Sequence, residues 1–142
     1  MRLQFFVMLT LAINTATNTT EVVFLRDGNV LKKGSWPAEA NESDLLLPYL
    51  KDSLEESGLT FDDLTGLFVV RGPGSFTALR VGITIVNTLA FILKIPIYSL
   101  KTDEITGPLA ESLLEMDFSK MKKEDIVEPY YDKPPKITPS KK

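Results

Sequence analysis

Any chemistry performed by this 142-residue chain must come from a narrow set of side chains, because the sequence contains neither cysteine nor histidine. Thiolate nucleophiles, disulfides, cysteine-ligated zinc and Ser-His-Asp triads are therefore excluded. Catalysis would depend on carboxylates, lysine, tyrosine or hydroxyl groups, with Mg²⁺ as a helper. The 16 basic and 19 acidic residues give a net charge of −3, so the chain as a whole is not attracted to nucleic acid or anionic membranes.

The first candidate residue is Asn14, which follows an apolar run and stands at the predicted end of a strand. A carboxylate at such a position could bind Mg²⁺ or orient phosphates, whereas a neutral amide offers a single weak oxygen ligand. Asn14 therefore argues against nuclease or phosphotransferase activity. The alternative is a turn in which the Asn14 side chain bonds the backbone.

The second candidate is the glycine-rich segment RGPGSFT at residues 71–77, which follows a predicted buried strand and opens a predicted helix. Free N–H groups at a helix start can bind an anion. The segment lacks the Gly-Lys-Ser/Thr ending of a P-loop. Two interpretations remain open: a tight turn with Ser75 capping the helix, and a loop that binds an anion or a partner.

The third candidate is the helix predicted over residues 76–94, whose apolar residues spread over an arc of about 200°. A helix lying on a sheet needs only a little over ~100°. The helix is either a fully buried core helix or part of a partner-binding surface that it shares with the leucine-rich helix before it. The residues assigned to that surface are Leu46, Tyr49, Leu50, Ala78, Val81, Gly82, Ile85 and Leu89. No catalytic residue and no metal ligand is predicted, since the acidic pairs all lie in polar, solvated stretches.

The elements that must position these candidates follow from hydrophobic periodicity and turn signals. Strands are predicted over residues 3–13, 21–25, 30–36, 66–70 and 95–100, with a hairpin turn at residues 27–29 and a signal peptide as the alternative for the first run. Helices are predicted from Ser43 to just before Gly58, over residues 76–94 and over residues 108–116. The order β-β-β-α-β-α-β is typical of the ribonuclease H-like core, an α/β fold with helices on the faces of a mixed sheet, shared by actin, sugar kinases and the Hsp70 ATPase.

The segment RGPGSFTALRVG at residues 71–82 resembles the GPGSFTGLRIG motif of the bacterial TsaB (YeaZ) family. Weaker matches occur in the same order: LAINTAT at 11–17 is similar to LAIDTAT, SDLLLP at 43–48 to SERLLP, and EPYY at 128–131 with Pro134-Pro135 to PxYLRPP. The resemblance covers residues 1–106 well and 126–136 loosely. Asn14 replaces the family's Asp, and Ala78 replaces its Gly. The glycine-rich loop carried over by the motif comprises Arg71, Gly72, Pro73, Gly74, Ser75, Phe76, Thr77 and Arg80.

The resemblance also implies a domain organisation. Family members usually carry a second actin-like subdomain after the fifth strand. Residues 1–106 would therefore be the ribonuclease H-like (actin-like) subdomain. Residues 107–142 would be a remnant of the second subdomain with a proline- and lysine-rich tail.

The function implied by the resemblance is that of a non-catalytic, cytoplasmic scaffold in the formation of N6-threonylcarbamoyladenosine (t6A) at adenosine 37 of tRNA. Its implied partners are a TsaD-like transferase, bound through two helices from each protein, and a TsaE-like ATPase. Contact with tRNA would be indirect, and the chain alone would form a homodimer. No cofactor is expected on this chain alone, although ATP or ADP with Mg²⁺ could lie at the interface with partners. The alternative is a nucleotide-dependent phosphotransferase or ATPase of the actin-like superfamily. No membrane association is expected.

Overall fold

The structure is a computed structural model that describes residues 8–38, 42–74 and 76–130. Its strands are β1 (Leu9–Asn14), β2 (Thr19–Arg26), β3 (Asn29–Pro37), β4 (Gly66–Val70) and β5 (Ile97–Leu100). Its helices are α1 (Glu42–Glu56), α2 (Phe76–Leu93) and α3 (Leu109–Leu114), and short 3₁₀ turns occupy Phe61–Asp63, Thr102–Glu104 and Phe118–Lys120. The predicted order of elements is confirmed.

The five strands form one mixed sheet in the order β3-β2-β1-β4-β5. The pairs β1–β2 and β2–β3 are antiparallel, whereas β1–β4 and β4–β5 are parallel. The turn between β2 and β3 consists of Asp27 and Gly28, which both have positive φ, 51° and 84°. Two successive residues of this kind match the right-handed twist of the flanking strands, which is why the Asp-Gly pair predicts the hairpin correctly.

Each face of the sheet is covered by different helices. The register places Leu11 beside Leu67 on one face, and Ala12 beside Phe68 on the other. Helices α1 and α2 contact each other and cover the Leu11 face. On the opposite face, the ring of Phe118 stacks 5.9 Å from that of Phe68, and α3 packs on β2 and β3. The core lies in these two layers.

Several predicted bounds differ from the observed ones. Strand β1 starts at Leu9, and residues 1–7, on which the start of the predicted strand and the signal-peptide alternative fall, lie outside the described residues. Helix α2 ends one residue early because Lys94 takes the left-handed conformation, with φ 57°. Strand β5 begins after Pro96, which has no N–H to pair. Helix α3 covers only part of residues 108–116.

The segment 121–130 is held against the rest of the chain by hydrogen bonds to three other elements. The backbones of Ile97 and Glu124 exchange two hydrogen bonds of 2.9 Å. The side chain of Asn87 on α2 exchanges two more, also 2.9 Å, with the backbone of Val127. The amide of Tyr130 donates to the carbonyl of Arg71 over 2.7 Å. Long-range backbone pairing, which no local pattern indicates, therefore attaches this segment to β5, α2 and β4.

Candidate functional site

Asn14 lies at the end of β1, as predicted, and its side chain is almost completely buried. Its Oδ1 accepts a hydrogen bond of 2.9 Å from the amide of Ala16. Its Nδ2 donates to Thr17 Oγ1 over 3.1 Å and to Glu21 Oε1 over 3.0 Å. Both polar atoms of the amide are thus used within the chain, which confirms the turn interpretation of Asn14.

Glu21 completes this polar cluster and is missed by sequence reasoning. It lies directly opposite Asn14 in the β1–β2 register, and its second oxygen, Oε2, accepts from the amide of Leu109 over 2.8 Å. A half-buried carboxylate thus receives one hydrogen bond from β1 and one from the first residue of α3. The signal that could have found it is cross-strand pairing, because a tight turn between β1 and β2 brings residues 14 and 21 together.

The glycine-rich loop is packed against two other segments, the 3₁₀ turn after β5 and the turn after β1. The backbone of Gly72 has φ +110°, and its carbonyl accepts from the amide of Thr102 over 2.8 Å. The hydroxyl of Thr102 donates to the carbonyl of Pro73 over 2.6 Å. A Cβ on Gly74 would lie only 2.7 Å from the Cα of Ala16, so this glycine permits close contact with the turn after β1.

The loop residues predicted to bind an anion or to cap α2 have mixed outcomes. The guanidinium of Arg71 lies 3.9 Å from a carboxylate oxygen of Glu124, so an acidic side chain already faces its charge. Ser75 lies outside the described residues, as does the side chain of Phe76. Anion binding at this loop and capping by Ser75 therefore stay predictions.

A groove of about 450 Å³ runs between α1 and α2. It contains three apolar side chains, Leu47, Val81 and Ile85, of which Leu47 is 47% exposed. Its remaining lining residues are polar: Ser43, Thr77, Arg80 and Thr84. The fold thus brings two residues of the glycine-rich segment, Thr77 and Arg80, beside two of the predicted partner surface, Val81 and Ile85. We call this feature the α1–α2 groove.

Half of the predicted partner surface is corrected by the structure. Leu46 and Leu50 are fully buried in the core, and Ala78 and Gly82 are buried as well. A Cβ on Gly82 would lie 3.0 Å from the Cγ2 of Thr15, so this small residue allows α2 to approach the turn after β1 and not a partner helix. Periodicity shows that both helices are rich in apolar residues, but it cannot tell which of them the sheet covers.

The other predicted surface residues are half-buried, and the structure adds residues that the prediction omits. Val81, Ile85, Leu89 and Tyr49 pack against the edge of the core, and the ring of Tyr49 lies 5.1 Å from that of Trp36. The apolar side chains most exposed on these two helices are Leu45, Leu47, Phe91 and Ile92. The run of leucines in α1 is the sequence signal for Leu45 and Leu47. The wide apolar arc of α2 is the signal for Ile92.

Comparison with known proteins identifies the family. Residues 31–106, more than half of the chain, match the family model described as TsaD: tRNA N6-adenosine threonylcarbamoyltransferase. The chain belongs to this family.

Individual relatives agree with the resemblance seen in the motifs. The TsaB protein of Bacillus subtilis, a tRNA threonylcarbamoyladenosine biosynthesis protein, is 33% identical over 97 residues, which are 68% of this chain and 42% of the relative. TsaB of Escherichia coli is 38% identical over 93 residues, 65% of this chain and 39% of the relative. YeaZ from Pseudomonas aeruginosa superposes with a TM-score of 0.61 at 31% identity, over 66% of this chain and 44% of that structure.

These similarities confirm the TsaB (YeaZ) resemblance and the ribonuclease H-like, actin-like fold. The TsaB-like chain spans about two fifths of the length of the curated relatives it matches. In its described part, no group of three or more acidic side chains is arranged to hold a metal ion. None of the helices described there combines the length and apolar character needed to cross a bilayer.

Proposed function

We propose that this TsaB-like chain is a non-catalytic subunit of the machinery that forms t6A in tRNA, and that it binds a TsaD-like transferase through the α1–α2 groove. The observation that carries this proposal is the groove itself. Three apolar side chains line it together with three hydroxyl-bearing side chains and one arginine. Protein–protein interfaces usually combine apolar and polar side chains in this way, and arginine is enriched in them.

The apolar surface extends beyond the groove along both helices. Leu45 lies on α1, and Ile92 and Phe91 lie two to three turns beyond Val81 on α2, all of them more than 40% exposed. Covering such side chains stabilises a complex by roughly 25 cal/mol for each Å² of apolar area removed from water. The same surface, when no partner covers it, would pair two copies of the chain around a two-fold axis.

The proposal extends to the rest of the machinery. It includes a TsaE-like ATPase as a further partner, indirect contact with tRNA, ATP or ADP with Mg²⁺ at the interface with partners, and a cytoplasmic location, where tRNA is modified. It also includes the division into a subdomain over residues 1–106 and a second-subdomain remnant with its tail over 107–142. The alternative, a phosphotransferase or ATPase, is not favoured because the Asn14 amide offers no charged ligand and its polar atoms are used within the chain.

The decisive experiment places one carboxylate in the groove with Ile85→Glu. An unpaired charge in an apolar contact costs several kcal/mol, which is enough to abolish a micromolar complex of about −8 kcal/mol. We expect a folded monomer by circular dichroism and light scattering. This variant should no longer co-purify with the TsaD-like protein of the same genome, and it should not support t6A formation in a reconstituted assay.

Thr106→Glu is the matched control, since Thr106 is an exposed residue outside α1 and α2 that does not line the groove. It should dimerise, bind the partner and support t6A formation as the wild type does. A folded Ile85→Glu protein that still dimerises and still binds the partner would disprove the interface. ATP hydrolysis at enzyme-like rates by the purified wild-type chain alone would favour the alternative.

A further inference from the structure

The carboxylate of Glu21 connects two parts of the molecule that do not otherwise share a side-chain hydrogen bond in the described residues. One oxygen accepts from Asn14 Nδ2 at the end of β1, over 3.0 Å. The other oxygen accepts from the amide of Leu109, the first residue of α3, over 2.8 Å. Hydrogen bonds to a carboxylate are about twice as strong as those between neutral groups, and this one is half-buried. The position of α3 is therefore linked to the side chain of Asn14.

Position 14 must supply a hydrogen-bond donor, because an ionised carboxylate can only accept. An aspartate there would place two carboxylates within hydrogen-bonding distance at a site where residue 14 is almost completely buried. Like charges at that separation disfavour each other, so one group must protonate or move away. Asn14 and Glu21 are thus a matched donor–acceptor pair, which gives a physical reason for the departure from the aspartate that the family resemblance leads one to expect.

The same asparagine also holds the turn that packs against α2. Its Oδ1 accepts from the amide of Ala16, and the backbone of Ala16 packs directly on Gly74, just before α2 begins. Thr15, in the same turn, packs on Gly82 in the second turn of α2. A side chain on either glycine would collide with this turn, so a shift of residues 14–16 must move the N-terminal half of α2. That half of α2 forms one wall of the α1–α2 groove.

We propose that the hydrogen-bonded pair of Asn14 and Glu21 couples the position of α3 to the position of the first turns of α2. We call this pair the polar joint. Both are positioning residues, and the joint works only when one side chain donates and the other accepts. This inference does not depend on the proposed function, because it concerns contacts between elements within the chain. Its consequence is that α3 and the groove wall, on opposite faces of the sheet, loosen together.

The test compares amide hydrogen exchange in the wild type, in Asn14→Asp and in the double variant Asn14→Asp/Glu21→Gln. In the single variant, the amide of Leu109 should exchange at least about tenfold faster, the effect of losing one charge-assisted hydrogen bond. The amides of Arg80 and Val81 are the first in α2 that can donate to a carbonyl four residues earlier in the same helix. They should also exchange faster. In the double variant, the carboxamide introduced at position 21 can donate to the carboxylate introduced at position 14 and accept from the amide of Leu109. The exchange rates of Leu109 and of Arg80 and Val81 should then lie within about threefold of the wild-type rates.

Asn18→Asp is the control, since it makes the same chemical change on an exposed residue of the same turn and should leave both sets of amides unchanged. A double variant no better protected than Asn14→Asp would disprove the donor–acceptor pair. A response at Leu109 without one at Arg80 and Val81 would disprove transmission to α2. If Asn14→Asp does not fold, the double variant is compared with Glu21→Gln, in which two donors face each other. The proposal then requires that the Leu109 amide exchange more slowly in the double variant than in Glu21→Gln. Equal exchange rates in these two variants would overturn it.

Discussion

The sequence singles out the carboxyl end of β1 and the helices that form the α1–α2 groove among its candidate regions, and the structure gives these two regions opposite properties. At the end of β1, the Asn14 amide bonds Ala16, Thr17 and Glu21 and is closed to solvent. In the groove, Leu47 is half-exposed although it is apolar. The first region contains the Asn14 side chain, whose hydrogen bonds the chain itself supplies, and the second contains apolar groups that the chain leaves partly uncovered. A candidate site is therefore recognised less by its residue types than by what the fold leaves available.

Glycines in the two regions reinforce this difference. Gly82 is assigned to the predicted partner surface, where a small residue would let another helix approach. It instead accommodates the turn after β1 through a contact with Thr15, and Gly74 accommodates the same turn through a contact with Ala16. Close packing of that kind stabilises the turn and leaves no space for a partner. The partner surface must be made of the larger side chains on the outer sides of α1 and α2.

The largest effect is expected from replacing a core residue of α1, in Leu50→Ala. Leu50 has no exposed surface, and truncating such a leucine leaves a cavity that costs about 2–5 kcal/mol of unfolding free energy. The matched variant Leu47→Ala, one turn earlier on the same helix, should stay within about 0.5 kcal/mol of the wild type. Urea unfolding measures both.

Partner binding should show the reverse order, with Leu47→Ala weakening self-association and folded Leu50→Ala retaining it. Equal loss of stability in the two variants would show that Leu47 belongs to the core. The groove would then not differ from the end of β1 in leaving apolar side chains uncovered.

A smaller effect is expected at the contact between the glycine-rich loop and the turn after β1, in Gly74→Ala. The added methyl group would collide with backbone atoms of Ala16, and overpacking of this kind costs about 1–3 kcal/mol. A positive φ, which would add backbone strain, occurs at Gly72 and not at Gly74, so the cost at Gly74 comes from the collision.

Gly28→Ala separates these two causes. Gly28 has φ +84° but no atom within 4 Å of an added Cβ, so its substitution should cost only the backbone strain of about 1 kcal/mol. Thermal unfolding of both variants gives the comparison. A Gly74→Ala protein as stable as the wild type would mean that the turn after β1 yields easily, contrary to the tight packing described above.

The smallest effect is expected at the surface, from the ion pair between Lys32 on β3 and Glu56 at the end of α1. The hydrogen bond from Lys32 to Glu56 raises the pKa of Lys32, and desolvation opposes it. Its contribution to stability is present below the ordinary lysine pKa of about 10.5 and is lost as the pH rises through the raised value. Lys32→Gln should therefore change the Tm by no more than about a degree at pH 7, because exposed pairs contribute little.

The difference between Lys32→Gln and the wild type should disappear in melting curves as the pH rises through the raised pKa of Lys32, because the lysine then loses its charge. Lys51→Gln serves as the control, since Lys51 pairs with Glu55 within α1 and has a pKa raised for the same reason. It does not connect the helix to the sheet. A change of several degrees in Lys32→Gln alone would indicate that the pair holds α1 in place and so shapes the groove.

The sequence by itself determined the order of strands and helices, the turn at Asp27-Gly28 and the extent of β4. These depend on local properties, namely alternation of apolar residues, helical spacing and residues that favour positive φ, and local patterns report such properties directly. The order of elements also indicated the ribonuclease H-like fold, and the motif at residues 71–82 indicated the family, because such a run is specific enough to identify its relatives.

Only the tertiary structure decided which apolar residues are covered and which polar residues are satisfied. Leu46 and Leu47 are neighbours of the same type, yet one faces the core and the other the groove, because α2 and the sheet cover only one side of α1. Asn14 became a structural residue because the strand register places Glu21 opposite it and α3 places the Leu109 amide beyond that. Such outcomes depend on residues far apart in the chain, and for this reason no local pattern contains them.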